Sequence, residues 1–151
     1  MRYSKNLVLT ILTIGTILLS CDHSVRRGTE LSTADMKYIK GLGLLDDDET
    51  LILFDGQSDF KTSGNFFTDK RIASYWIDKR DETKSSRDFG LYSDIDTILT
   101  KDLSRSLTYA SYLEVVMHDG RTFKVYVDGD SIEVRRFFNR AISEWRIKNN
   151  R

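Results

Sequence analysis

The chain of 151 residues contains no proline and only one cysteine, and its 23 basic side chains are balanced by 23 acidic ones. A single cysteine excludes an intrachain disulfide and a metal site built from several cysteines. The formal net charge of zero gives no indication of nucleic-acid binding. What remains, 40% hydrophobic and 30% charged residues, is typical of a globular protein, and the length favours one domain.

The longest apolar run is short and lies near the start of the chain. Residues 7–19 are uncharged and mostly aliphatic, and they follow the basic residues Arg2 and Lys5. A membrane-spanning helix needs about 20 apolar residues, whereas the hydrophobic part of a secretory signal has about 7–15. We therefore interpret residues 1–20 as a signal peptide that ends directly before Cys21.

The four residues Leu18, Leu19, Ser20 and Cys21 resemble the lipobox of bacterial lipoproteins. The resemblance implies cleavage before Cys21 and attachment of acyl chains such as palmitate to this residue. The protein would then be anchored extracytoplasmically in the cell envelope, in either the inner or the outer membrane. Two or more chains form a stable anchor, since each buried CH₂ contributes about 0.8 kcal/mol. The alternatives are an ordinary signal peptide with an unrelated cysteine, and an uncleaved anchor.

The next segment is polar and lacks periodicity, so we expect the lipidated cysteine and a tether over residues 21–30 and a folded domain over residues 31–151. Ser32 and Asp35 have the spacing of a capping box, which predicts a short helix ending at Gly41 or Gly43. The acidic run of residues 46–49 lacks the ligand spacing of a calcium loop and is interpreted as a solvated turn.

The remainder of the domain is dominated by short strand signals. Compact apolar runs bounded by turn residues predict strands. Such runs lie at residues 50–54, 65–68, 72–77, 89–92, 95–100, 113–117 and 123–127. The last two should form a hairpin. A three-residue loop over residues 118–120 pairs Val115 with Phe123 and Leu113 with Val125, which places all four side chains on one face. This loop requires a left-handed Gly120.

A strongly amphipathic helix ends the chain. Asp130 or Ser131 can cap it, and its apolar residues recur with helical spacing at Val134, Phe137, Phe138, Ala141, Ile142 and Trp145. Such a helix must cover an apolar surface, and the open end of a sheet or barrel is the expected place.

This order of elements resembles the pleckstrin-homology superfold, as do three local patterns. These are Thr68-Asp69-Lys70-Arg71-Ile72 before the third strand, Tyr92-Ser93-Asp94-Ile95 with Ile98, and His118-Asp119-Gly120-Arg121-Thr122-Phe123 in the hairpin. The resemblance implies a mainly β fold, a bent antiparallel small barrel of about seven strands capped by the C-terminal helix and preceded by a short helix. Phosphoinositide binding is not expected, because the region of the first two strands carries Asp55, Asp59 and only one base, Lys61.

The sequence contains few groups suited to catalysis. His23 lies in the expected tether and His118 in the expected hairpin turn, and both are interpreted as solvated side chains. A hydrolase built on His118 would need a cleft and a nearby acid. No phosphate loop, zinc pattern or nucleophile elbow is present. We therefore expect no enzymatic activity, no cofactor and no metal.

The C-terminal segment of residues 131–151 has six basic and two acidic side chains. It is either a solvated helix face or a docking surface for an acidic partner, formed by Arg135, Arg136 and Arg140. The resulting hypothesis is a membrane-anchored, non-enzymatic binding module that interacts with an unidentified protein at the cell envelope. The alternative is a small barrel that binds a lipid or another apolar ligand, which would require an internal cavity.

Overall fold

The computed structural model describes residues 25–57, 59–106 and 108–149. The predicted signal peptide, Cys21 and His23 lie outside the described residues. No helix within the described part of the chain is long and apolar enough to cross a membrane.

The strands form two antiparallel sheets. The strands are β1 Val25–Arg27, β2 Leu51–Asp55, β3 Ser63–Thr68, β4 Arg71–Trp76, β5 Ser86–Leu91, β6 Ile95–Lys101, β7 Ser111–Met117 and β8 Thr122–Val127. The first sheet has the order β1-β2-β3-β4-β5 and the second the order β6-β7-β8. The described part of the chain thus has eight strands in two sheets, one strand more than expected.

Both helices begin at their predicted capping residues, and the first also ends as its glycines predict. Helix α1, Thr33–Gly41, begins with the reciprocal hydrogen bonds of a capping box between Ser32 and Asp35. The helix is terminated two residues beyond its last residue by Gly43, whose φ of 75° is left-handed. The N–H of the neighbouring Leu44 donates to the carbonyl of Ile39, as in a Schellman motif. Helix α2, Ser131–Asn149, is capped by Asp130, which accepts hydrogen bonds from the next turn.

The hairpin of β7 and β8 confirms the predicted register. Val115 pairs with Phe123 and Leu113 with Val125. Gly120 has a φ of 85°, and its N–H donates to the carbonyl of Met117 across the turn. Burial of one face therefore determined the register.

Two hydrophobic clusters lie on opposite faces of the five-stranded sheet. One fills the space between the two sheets and α2, where Phe67 of β3 packs edge-on against Phe137 of α2. The other lies under α1 and contains Phe66 and Phe54. Strand β3 is consequently buried on both faces, which explains its adjacent phenylalanines. The predicted mainly β fold, with α2 packed against the strands, is confirmed.

Two expectations are wrong in part. Residues 25–30 are not an irregular tether, because β1 pairs with β2 and Gly28–Glu30 form a 3₁₀ turn. The folded unit therefore includes Val25 instead of beginning at residue 31. The acidic run is not uniformly solvated either: Glu49 is buried because it pairs with Arg71.

Candidate functional site

The three arginines predicted for docking point to different places. Arg136 and Arg140 line a groove between α2 and the edge of the five-stranded sheet. Arg135 instead folds back on its own helix, where its Nε donates to the carbonyl oxygen of Ser131 at 2.8 Å. Two of the three side chains thus share one groove, and the third stabilises the first turn of α2.

The groove has an apolar floor and a basic rim. Its volume is about 510 Å³, and Arg27 joins Arg136 and Arg140 around it. The floor is formed by β2 and the wall by the 3₁₀ turn, with the lining residues Gly28, Thr29, Leu51, Ile52 and Leu53. Arg27 of β1 and two arginines of α2 therefore surround a small apolar surface.

The path of the backbone creates this groove. β1 ends at Arg27, opposite Leu53, so β2 has no strand neighbour on that side beyond Leu53 within the described residues. The chain then crosses β2 so closely that a Cβ on Gly28 would lie 1.9 Å from the carbonyl oxygen of Leu51. A register shift between Leu51 and Leu53 marks a bulge at Ile52, and bulges redirect side chains next to binding sites.

The rim arginines are only partly neutralised. Arg136 Nη2 donates to the carbonyl of Val25 at 3.1 Å, which joins α2 to β1. Arg140 pairs with Glu144 at 2.8 Å while its own side chain stays 56% exposed. Within the described residues neither Arg27 nor Arg136 forms an ion pair with a carboxylate. The rim can therefore bind a further anionic group.

A second hollow of about 330 Å³ continues the groove along β1 and is lined by Arg26, Arg27 and Arg136. Arg26 lies over the rings of Phe54 and Phe60, with its guanidinium carbon 5.5 and 5.8 Å from their centroids. Glu30 is the acidic residue of this hollow, and one of its carboxylate oxygens accepts a hydrogen bond from the backbone N–H of Arg27. The basic surface thus extends from α2 to the edge strand.

The basic residues of the turn between β3 and β4 have a different environment. Arg71 is buried, and its guanidinium contacts both Asp46 and Glu49. Lys70 hydrogen bonds to Asp48, which lowers the pKa of that carboxyl and raises the pKa of Lys70. The acidic run therefore neutralises this turn, and these two bases are occupied by intramolecular pairs.

Two of the sequence patterns meet at this turn. Thr68 Oγ1 accepts hydrogen bonds from the backbone N–H groups of Lys70 and Arg71. The hydroxyl of Tyr92 donates to the carbonyl of Thr68 at 2.7 Å, and burial raises the pKa of Tyr92 far above its ordinary value. Both patterns consequently serve the structure at this position.

His118 lies at the start of the β7–β8 turn, and its Nδ1 is 3.5 Å from a carboxylate oxygen of Asp96. Both side chains are more than half exposed, so the pair is solvated. Within residues 25–149 as described, no group of three or more metal-ligating side chains comes together.

The internal space that the alternative hypothesis requires is occupied by side chains. Phe67, Phe137, Leu113 and Val125 meet there, and each is fully buried. The groove beside α2 and the hollow along β1 lie at the surface.

Arg27 was missed as a site residue because it lies in the segment interpreted as a tether. A strand of three residues is too short for its alternation to be recognised. The one available signal was the pair Arg26-Arg27 next to an apolar residue, Val25.

No protein-family model and no curated protein matches the chain. Among solved structures, the chain is similar to a DUF1696 family protein with a pleckstrin-homology domain from Shewanella loihica PV-4. The two share 14% sequence identity with a TM-score of 0.47, and the similarity covers 76% of this chain and 97% of the other.

Proposed function

We propose that this protein is a non-enzymatic binding module, anchored to an extracytoplasmic membrane surface through acyl chains on Cys21, which docks an acidic segment of a partner protein in the groove beside α2. The observation that carries the proposal is the convergence of Arg27, Arg136 and Arg140 around an apolar floor. Arginine is enriched at the energetic centres of protein interfaces.

The charge of the rim determines the kind of partner. Carboxylates accept two parallel hydrogen bonds from a guanidinium, which gives both attraction and orientation. An apolar side chain flanked by Asp or Glu would fill the groove, because the floor offers Ile52 and Leu53 between the charged groups. The expected ligand is therefore an acidic segment with an apolar residue at its centre.

Anchoring at Cys21 would hold the groove close to the bilayer. Only three residues separate Cys21 from Val25, so the two Cα atoms can be at most about 14 Å apart, at roughly 3.3–3.6 Å per residue. β1 continues directly into the groove wall. A partner at the same membrane would then meet the groove at a raised effective concentration.

The test is site-specific photo-crosslinking in cells of the source species. A photoreactive residue replaces Ile52 in the groove floor, and in a separate variant it replaces Tyr109, which is 72% exposed and outside the groove. The expected product is one adduct, formed only from position 52, whose crosslinked peptide is acidic. The absence of a specific adduct at position 52 would overturn the docking proposal.

Two sets of variants separate docking from anchoring. The double charge reversal Arg27→Glu with Arg140→Glu should abolish the adduct, whereas Arg135→Glu, next to the groove on the same helix, should retain it. Cys21→Ala should abolish labelling by a palmitate analogue and reduce the adduct yield. Acyl labelling that persists in Cys21→Ala would contradict the anchor and leave the docking test intact.

A further inference from the structure

A second cleft lies at the opposite end of the five-stranded sheet, where the two sheets separate. It has a volume of about 450 Å³ and is enclosed by β3, β4 and β5 on one side and by the edge strand β8 on the other. It shares no lining residue with the basic groove. The cleft and the basic groove are therefore separate surfaces.

The inner face of β3, β4 and β5 changes character along its length. Directly paired residues on adjacent strands carry their side chains on the same face, and alternate residues along a strand do so too. At one end Phe67 pairs with Ile72 and packs in the core. Toward the cleft, the next row of paired residues across β3, β4 and β5 consists of Asn65, Ser74 and Asp88. The row after it consists of Ser63, Trp76 and Ser86. An apolar surface thus becomes a polar one with an indole in its outer row.

One polar group in these rows is buried without a hydrogen-bond partner, and two more beside it are also unpaired within the part of the chain that the structure describes. Ser63 is 2% exposed, and its hydroxyl has no hydrogen-bond partner among the described residues. Asn65 is 3% exposed and uses its amide oxygen to accept from the backbone N–H of Tyr126 at 2.8 Å. Within the same part of the chain, its amide nitrogen and the hydroxyl of Ser74 make no hydrogen bond. Buried polar groups are normally paired, so the hydroxyl of Ser63 indicates a hydrogen-bonding ligand. The unpaired groups of Asn65 and Ser74 beside it can also bond to such a ligand.

The aromatic and charged side chains at the cleft further restrict the class of ligand that it can bind. Trp76 is 47% exposed and Tyr126 is 38% exposed, so both offer accessible ring surface at the mouth. The charged lining residues are Asp88, Glu114 and Lys124, and the ammonium of Lys124 lies 4.4 Å from the ring centroid of Tyr112. This balance of two acids and one base does not favour an anionic ligand.

We propose that this cleft binds a neutral oligosaccharide. A sugar ring presents an apolar C–H face, which packs on an indole, and an edge of hydroxyls that donate and accept hydrogen bonds. The cleft offers the matching groups: Trp76 for the ring face, and Ser63, Asn65 and Ser74 for the hydroxyls. Small sets of placed polar groups beside aromatic side chains are typical of such sites.

The test follows the fluorescence of Trp76 in the full chain. The protein has two tryptophans, and Trp145→Phe leaves Trp76 as the single reporter, with circular dichroism to confirm folding. The probes are tetramers of N-acetylglucosamine, β-1,4-linked glucose and α-1,4-linked glucose. We expect a saturable change with at least one probe, and isothermal calorimetry on the protein with both tryptophans should give the same affinity.

Two variants determine whether the cleft is the site. Trp76→Ala should weaken binding in calorimetry by at least about tenfold. Tyr109→Ala removes a more exposed aromatic ring outside the cleft and should not change the affinity. Ser63→Ala should weaken binding while the thermal midpoint stays unchanged or rises, since the substitution removes a buried hydroxyl without a partner. Absence of binding with all three tetramers, or undiminished binding in Trp76→Ala, would overturn the proposal, as would an extended peptide occupying the cleft in place of any sugar.

Discussion

The turn between β3 and β4 and the groove beside α2 both present basic side chains, yet their surroundings differ. At the turn, Arg71 and Lys70 each face carboxylates supplied by residues 46–49. At the groove, Arg27 and Arg136 have no carboxylate partner within the described residues. The comparison shows that the availability of a basic residue depends on which segment packs against it, and that local composition alone does not reveal this.

The largest loss of stability is expected at the turn, because Arg71 and Glu49 form a buried ion pair there. Arg71→Met leaves the carboxylate of Glu49, whose side chain has no exposed area, without its partner, and this should lower the free energy of unfolding by about 3–5 kcal/mol. Urea denaturation at neutral pH measures the effect. The double variant Arg71→Met with Glu49→Gln should regain part of the loss. A double variant as unstable as the single one would show that the charge of Glu49 is not the cause.

A substitution in the backbone turn that forms the groove should have the second-largest effect on stability. Gly28→Ala places a Cβ 1.9 Å from the carbonyl oxygen of Leu51, so the turn must move away from β2, at an expected cost of about 1–3 kcal/mol. Gly41→Ala is the matched control, because a Cβ there meets nothing within 4 Å. Thermal denaturation should show a lower midpoint for the first variant only. Equal midpoints would contradict the close approach at Gly28.

A smaller effect is expected where α2 holds β1. Arg136→Ala removes the hydrogen bond to the carbonyl of Val25, which should lower the free energy of unfolding by about 0.5–1.5 kcal/mol. Hydrogen exchange of the β1 amides should accelerate in parallel. Arg135→Ala alters the same helix without touching β1 and serves as the control. Unchanged exchange in Arg136→Ala would indicate that β1 is held by its strand pairing alone.

The exposed pair of the turn should have the smallest effect, and one that depends on pH. The hydrogen bond from Lys70 lowers the pKa of Asp48 in the folded protein, so its stabilisation is present above the pKa of the unfolded state. This stabilisation is lost as the pH falls through the lower pKa that Asp48 has in the folded protein. Urea midpoints of Asp48→Asn and the unmodified protein should differ slightly at pH 7 and converge at acidic pH. A difference that grows on acidification would contradict this sign.

Prediction from sequence succeeded where the signal was local. Helix α2 was recognisable from its apolar spacing, and the β7–β8 register followed from the condition that Leu113, Val115, Phe123 and Val125 share a face. Burial of one face constrains both patterns within a few residues of chain, so no knowledge of the remaining fold was needed.

The same reasoning failed where distant segments meet. The pairing of Glu49 with Arg71 spans 22 residues, and the contact of Arg136 with β1 spans 111. Contacts between residues so far apart along the chain produce no periodic pattern in the sequence. The polar cleft was missed for a related reason: Ser63, Asn65 and Ser74 are unremarkable in sequence, and only strand pairing aligns them in rows.

Two hydrogen bonds between the sheets have a consequence for how the protein unfolds. β8 is an edge strand, and the backbone N–H of Tyr126 is bound by Asn65 of β3, while that of Asp128, just beyond β8, is bound by Asp55 of β2. Side chains of one sheet thereby take the place of a neighbouring strand for the other. The three-stranded sheet cannot satisfy its own edge until the five-stranded sheet is in place, so the two should be lost in a single cooperative transition.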